Sequence, residues 1–149
     1  MSEITIKRGK DNMDVQLIHR YLSEDSYWAK GITYELVDNS LANSFCVGAF
    51  IDGQQVAFAR MITDYYTFGW IADVFVLPVH RGKGISKMLL SFLLEQPWST
   101  RLRRKMLITK DAHELYRQFQ FQDLANPANV MEVYNPAANL QPASPRIPT

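Results

Sequence analysis

Ile4 and Ile6 alternate with Thr5 and Lys7, the period-two pattern of a short strand with one buried face. Val15, Leu17, Ile18, Tyr21 and Leu22 then recur at helical spacing, with Asp11 or Asn12 as the candidate N-cap and residues 23–26 as the break. A second, shorter helix is predicted from about residue 32 to 39, burying Leu36 and Val37. Two apolar runs, 45–51 and 55–62, flank Asp52-Gly53, a strong two-residue hairpin signal. After a polar and aromatic link at 64–68, residues 69–77 are apolar on both faces except for Asp73, as expected of a central strand covered on both sides. Pro78 ends that strand. Residues 81–86 form a glycine-bearing loop, and Ile85, Met88, Leu89, Phe92 and Leu93 hold a helical stripe that Pro97 is expected to stop. Downstream, 106–108 predicts a strand, 112–119 a helix, and 121–124 and 130–134 two final strands. The pattern describes one α/β (α+β) domain over residues 1–135. Residues 136–149, with Pro136, Pro142, Pro145, Pro148 and few large apolar side chains, predict a poorly ordered tail.

Charge and cysteine content narrow the chemistry. Sixteen Lys and Arg against 15 Asp and Glu leave a formal charge of +1 over 149 residues, so no bulk field asks for nucleic acid or an anionic membrane. The short basic run Arg101, Arg103, Arg104 and Lys105 therefore reads as a solvated loop. Cys46 is the only cysteine, which removes a disulfide framework and any multi-cysteine zinc cage; a reducing, cytoplasmic location is expected. His19, His80 and His113 are too scattered to form a metal-ligand cluster, so no metal is expected. No apolar run reaches the roughly 18 to 20 residues of a membrane span, and the first nine residues lack the apolar stretch of a signal peptide.

The loop Arg81-Gly82-Lys83-Gly84-Ile85-Ser86 lies between a buried strand and an amphipathic helix. Glycines there let backbone N–H groups approach an anion, and the helix N-terminus adds partial positive charge. Its spacing is neither a Walker A loop nor a G-x-G-x-x-G fingerprint, because Lys87 stands where the third glycine belongs. It does resemble motif A of the GNAT family of acyl-CoA-dependent N-acyltransferases, R/Q-x-x-G-x-G/A after a strand and a nearby proline. Arg81, Gly84 and Ser86 take the three marked positions, with serine in place of Gly or Ala. Downstream, Ala112, Leu115, Tyr116 and Phe121 are similar to the family's A-x-x-L-Y-x-x-x-G-F helix signature. Gln120 replaces its glycine, and Thr109 stands where many members have Asn.

That resemblance implies the GNAT fold, a central mixed, mostly antiparallel sheet flanked by helices. It also implies acetyl-CoA as co-substrate and N-acetyl transfer to a primary amine by direct attack in a ternary complex. The strand backbone at Val74, Phe75 and Val76 would bind the pantetheine arm, with one N–H near Val76 polarising the thioester carbonyl. Such a preorganised donor can lower a barrier by about 3 to 4 kcal/mol. Arg81, Gly82, Lys83, Gly84, Ile85 and Ser86 would hold the pyrophosphate, Lys83 and Lys87 would add charge, and Thr109 would meet the pantetheine. Tyr116 is the implied general acid for the departing thiolate, or else a packed helix tyrosine. Asp73, the one charge in its strand, is the candidate base, with a hydrogen-bonded structural carboxylate as the alternative. Tyr27, Trp28, Asp64 and Tyr65 are the candidate acceptor contacts, suited to a small or amino-acid-like amine. A non-catalytic acyl-CoA sensor and a protein N-acetyltransferase are the competing readings; a monomer or homodimer is expected.

Overall fold

A computed structural model of the chain describes residues 3–143. Ile4–Arg8 (β1), Phe45–Ile51 (β2), Gln54–Thr63 (β3) and Phe68–Val76 (β4) form an antiparallel sheet in chain order, and Arg104–Met106 (β5) joins the β4 edge in parallel. The β2–β3 hairpin turns at Asp52 and Gly53, both at positive φ (52° and 79°), which matches the twist of the flanking strands.

β2 and β3 are buried on both faces because each face carries a helical layer. On one side lie α1 (Val15–Arg20), which continues into a π-turn at Tyr21–Asp25, and α2 (Tyr34–Ala42). Their Ile18, Leu22, Val37 and Leu41 pack with Cys46, Phe50, Phe58 and Phe75. On the other side Ile85, Leu89, Leu90 and Leu93 of α3 (Ile85–Leu94) cluster with Val47, Ala49, Ala57 and Ala59, whose small side chains suit close helix approach. Each such buried leucine contributes about 1.5–3 kcal/mol.

α3 and the short α4 (Pro97–Thr100) form the crossover that a parallel β4–β5 pair requires. Gly69, paired with Lys105, sits where a Cβ would strike the Met61 sulfur, so this junction needs glycine. Pairing with β5 ends at Trp70 and Met106. From Ile71 to Val76, β4 therefore has no strand on that side among the described residues. α5 (His113–Arg117) follows β5.

Several element boundaries differ from the sequence pattern, each for a local reason. Asp14, rather than Asp11 or Asn12, caps α1: its carboxylate accepts the Leu17 N–H at 3.1 Å, while Lys10–Asn12 form a separate 3-10 turn. Residues 23–25 stay within the π-turn. α2 starts at Tyr34 because the Thr33 hydroxyl accepts the Leu36 N–H at 3.2 Å. Pro97 opens α4 instead of stopping α3, a position where its missing N–H costs nothing. β5 falls at Arg104–Met106 because its partners are Phe68, Gly69 and Trp70. Residues 121–124 and 130–134 are not strands, since neither stretch finds a ladder partner among the described residues. Pro136–Leu140 form a 3-10 turn, and residues 144–149 of the expected tail lie outside the described residues. No helix among the described residues is long and apolar enough to cross a membrane.

Candidate functional site

The site begins with a defect in β4. Phe58 pairs with Phe75 and Arg60 with Ala72, so Ala59 alone faces both Asp73 and Val74. Asp73 absorbs the extra residue with φ of 56°, the left-handed conformation of a bulge. Bulges bend a strand, and this one lies in the stretch of β4 that β5 leaves uncovered. Val74 and Val76 pack towards the α3 side, whereas Phe75 turns to the other face and stacks on Tyr21 with ring centroids 4.0 Å apart. The result is a strand edge able to accept one more extended chain.

At the end of β4 the loop enters α3. Gly82 and Gly84 both have positive φ (81° and 76°), and Gly84 is the N-cap with no side-chain acceptor. As a result, the six successive N–H groups from Gly82 to Lys87 have no acceptor among the described residues. A run of unpaired donors at a helix N-terminus is the environment that favours phosphate oxygens. Lys83 and Lys87 are exposed beside it. Arg81 instead ties the loop to the strand end, its guanidinium donating to the Val76 carbonyl at 3.0 Å and to the Tyr21 hydroxyl at 3.0 Å. Next to the loop, His80 Nδ1 is buried with no hydrogen-bond partner.

Tyr116 of α5 belongs to the hydrophobic cluster against which Val74 and Val76 of β4 pack. The Thr109 hydroxyl accepts the Ala112 N–H at 3.0 Å and fixes the turn into this helix. Gln120, at φ of 72°, provides the left-handed exit from it, and the Phe121 N–H returns to the Tyr116 carbonyl at 3.2 Å. Tyr116 is 8% exposed, meets Phe121 edge-to-face, and its hydroxyl has no hydrogen-bond partner among the described residues. Burial first, then the neighbouring Tyr27 hydroxyl and the Asp111 carboxylate, push its pKa up to about 12.

Asp73 is fully engaged. One carboxylate oxygen accepts from Arg60 Nε at 2.7 Å and the other from Trp28 Nε1 at 2.8 Å, while Arg60 also reaches the Ser44 hydroxyl at 2.8 Å. Trp28 meets Tyr27 edge-to-face at 5.1 Å. Tyr27 in turn accepts the Lys110 N–H at 3.2 Å, and the Lys110 ammonium lies 5.3 Å from its ring centre. A chain of contacts thus runs Asp73, Trp28, Tyr27, with the two aromatic rings 40% and 51% exposed, and Tyr27 acts on Tyr116 electrostatically.

The other two acceptor candidates stand apart from this path. Asp64 accepts the N–H groups of Tyr66, Thr67 and Phe68 at 2.9, 2.7 and 3.2 Å and the Thr67 hydroxyl. These bonds, that to the hydroxyl foremost, hold its carboxyl well below the usual carboxylate range. Asp64 therefore organises the β3–β4 turn. Tyr65 packs on Trp98, 4.8 Å between rings, and Trp98 also meets Phe45. That turn precedes β4, and five residue steps along the strand, about 16 Å of rise, separate Phe68 from Asp73. Sequence pattern gives Tyr21 only a place in the first helical stripe and does not single out Arg60 or Lys110. Arg60 carried a usable signal, since it is the one charge in the apolar run 56–62 just as Asp73 is in its own strand.

Residues 15–121 match the family model described as the acetyltransferase (GNAT) family. The chain belongs to the GNAT acetyltransferases. A GNAT-family protein of Xanthomonas campestris pv. campestris (xcc2953), described as an acetyltransferase, superposes with a TM-score of 0.90 and 44% identity over 95% of this chain and 99% of that one. The Gibberella zeae protein FG08082 is 34% identical over 125 residues, 70% of each chain. A Clostridium acetobutylicum protein solved with acetyl-CoA shares the fold, with a TM-score of 0.60, 17% identity, and 89% and 96% of the two chains covered. Within the GNAT fold, the bulged strand of this chain runs into the unpaired donor loop, and Tyr116 of α5 belongs to the hydrophobic cluster against which Val74 and Val76 pack.

Proposed function

We propose that this GNAT protein transfers the acetyl group of acetyl-CoA to the primary amine of a small, amino-acid-like molecule, by direct attack in a ternary complex. The observation that carries the reading is the open β4 edge continuing into six unpaired N–H groups, an extended-chain slot that ends in an anion cradle. Acetyl-CoA, when bound, supplies the activated carbonyl. The residues of this chain do the rest. Backbone from Val74 to Val76 aligns the acyl arm, and an N–H near Val76 stabilises the developing oxyanion. Gly82 to Ser86 hold the pyrophosphate. Thr109, whose hydroxyl accepts the Ala112 N–H, keeps its O–H free to donate to the pantetheine.

The Tyr116 hydroxyl donates a hydrogen bond to the departing sulfur. With both oxygens of Asp73 engaged, the amine proton passes to water and Asp73 acts by fixing Trp28. The exposed Trp28 and Tyr27 rings receive the acceptor's body, and the Lys110 ammonium beside Tyr27 suits an acceptor carrying a carboxylate. The test is a panel of amino acids, polyamines and aromatic amines with acetyl-CoA, scored by free thiol release. Amino-acid-like amines are expected to lead. Activity confined to protein N-termini or lysines overturns the substrate class, and thermal stabilisation by acetyl-CoA with no amine-dependent release marks a sensor instead.

A further inference from the structure

A cleft of about 420 Å³ opens where the chain leaves β5 and enters α5. That volume lies in the range of small-molecule sites. Trp70, Met106 and Ile108 supply apolar lining, Tyr116 and Thr109 tie the cleft to the acetyl-transfer site, and Glu132 brings it a carboxylate.

Glu132 is delivered there by a defined path. The Pro127–Asn129 turn, closed by the Val130 N–H donating to the Pro127 carbonyl at 3.1 Å, returns the chain to the cleft. Further along, a Leu140 methyl group sits 2.6 Å from where a Gly31 Cβ would be, three residues after Trp28. Residues 130–140 therefore reach from the Tyr116 cleft to the segment that carries the exposed Tyr27 and Trp28 rings.

The sign of the ligand follows from which charges are left over. Arg117 is neutralised by Asp123 at 3.1 Å and Glu114 at 3.5 Å, and the Lys105 ammonium donates to the Ser99 carbonyl at 3.1 Å. His113 carries charge only on protonation. Of the two carboxylates on the lining, Asp123 is held by Arg117, and Glu132 has no hydrogen bond or ion pair among the described residues. An unpaired carboxylate beside apolar walls favours a cation.

We infer that Glu132 is a specificity-determining residue: its carboxylate receives the acceptor's ammonium group in this cleft and selects charged amines over neutral molecules of the same shape. The inference rests on the acetyl-transfer reading and adds the group that draws the nucleophile to Tyr116. Lys110 beside Tyr27 then meets the acceptor's carboxylate and Glu132 its nitrogen, so both charges of an amino-acid-like zwitterion are answered. Glu132 holds the ammonium form on entry, and the proton leaves to water before attack.

Calorimetric titration of the full chain saturated with CoA tests this with two probes, the panel amine that binds best and the alcohol of the same skeleton, which cannot carry the charge. The wild type is expected to prefer the amine by about fivefold, the factor of a strong solvent-accessible ion pair. Glu132 is exposed and unpaired, so its variants should fold. Glu132→Gln should abolish the preference by weakening the amine alone, whereas Glu132→Asp, which keeps the charge, should retain it. A wild type without the preference overturns the inference. So does a Glu132→Gln variant that keeps the preference, or that loses amine and alcohol alike, the mark of a purely structural arm. Thiol release, scored separately, distinguishes the two readings. Amine binding governed by Glu132 without release refutes acetyl transfer and leaves this inference standing; release whose amine KM is unchanged in Glu132→Gln refutes this inference and leaves acetyl transfer standing.

Discussion

Replacing Tyr116 by Phe removes one oxygen from a site whose protonation is set by burial. The hydroxyl titrates at about 12, whereas a free thiol titrates near 8.5. Complete proton transfer from Tyr116 to the departing sulfur would thus run uphill by roughly 3.5 units, or about 5 kcal/mol. A hydrogen bond that keeps its proton has no such cost. Bonds to charged acceptors contribute about 1.5–3 kcal/mol, which at 1.36 kcal/mol per decade predicts a fall in kcat of roughly ten- to 150-fold. The KM for acetyl-CoA should stay close to wild type, because the bond forms only as charge develops on sulfur. The ring keeps its contacts with Phe121, and its hydroxyl has no partner among the described residues to lose. Stability should therefore change little. The assay is thiol release from acetyl-CoA with the best amine of the panel, at several pH values. Buried Cys46, its pKa raised to about 11, adds no reactive thiol in the native protein. An unchanged kcat would refute the role of the hydroxyl. A wild-type rate governed by a group titrating between pH 8 and 10 that disappears in the Phe variant would refute hydrogen bonding without proton transfer.

Substitutions elsewhere in the site and a change of pH should report on the same geometry. Asp73→Ala leaves Arg60 unpaired in a site where both side chains are only 12–13% exposed; the loss should be about 3 kcal/mol, or a melting temperature roughly 6–12 °C lower, and a shift within two or three degrees would contradict the pairing. Gln120→Gly relieves a left-handed residue at φ of 72°, a strain of about 1–2 kcal/mol less roughly 0.5–1 for glycine's extra freedom when unfolded, so thermal denaturation should show a gain of up to about 1.5 kcal/mol. Gly84→Ala imposes the reverse at φ of 76° and should cost about 1–2 kcal/mol while shrinking the thermal shift that acetyl-CoA produces. In alkali, the Cys46 thiol rises from 9.0 to about 11 and the Tyr116 hydroxyl from 10.0 to about 12. Each stays neutral in the folded chain while the unfolded chain ionises. Stability should therefore be flat below pH 9, then fall by about 1.4 kcal/mol per pH unit per group over 9–11 for Cys46 and 10–12 for Tyr116; chemical denaturation of Cys46→Ala should show the 9–10 portion flattened.

The elements that the sequence disclosed best are those in which one local rule dominates. Asp52-Gly53 between two apolar runs gave the β2–β3 hairpin because few other turns satisfy two consecutive positive φ values. Gly82 and Gly84 disclosed the anion loop because each takes a positive φ that glycine adopts without strain. Boundaries were misjudged where two residues competed for one role. Asp14 and not Asn12 caps α1, and the choice depends partly on the buried Gln55 side chain, whose carbonyl accepts the Asp14 N–H at 2.7 Å from 41 residues away. No window of sequence contains that bond.

The site itself was legible in its backbone and less so in its side chains, and the reason is physical. A motif fixes where N–H groups point, because glycine spacing and strand ends determine φ and ψ locally. What a charged side chain does depends on which partner reaches it first. Asp73 looked like a base because it interrupts an apolar strand, and the complementary interruption, Arg60, lies on the neighbouring strand at a register displaced by the bulge that Asp73 itself forms. Asp64 looked like an acceptor contact because aromatics surround it, yet its oxygens are taken by N–H groups of its own turn. Residues 130–134 show the same division. Their apolar and β-branched character reports what could be buried, and only the folded chain reveals that they are left without a ladder. Sequence pattern measures the capacity to pair; the choice of partner is made in three dimensions, by the side chain or strand that reaches it first.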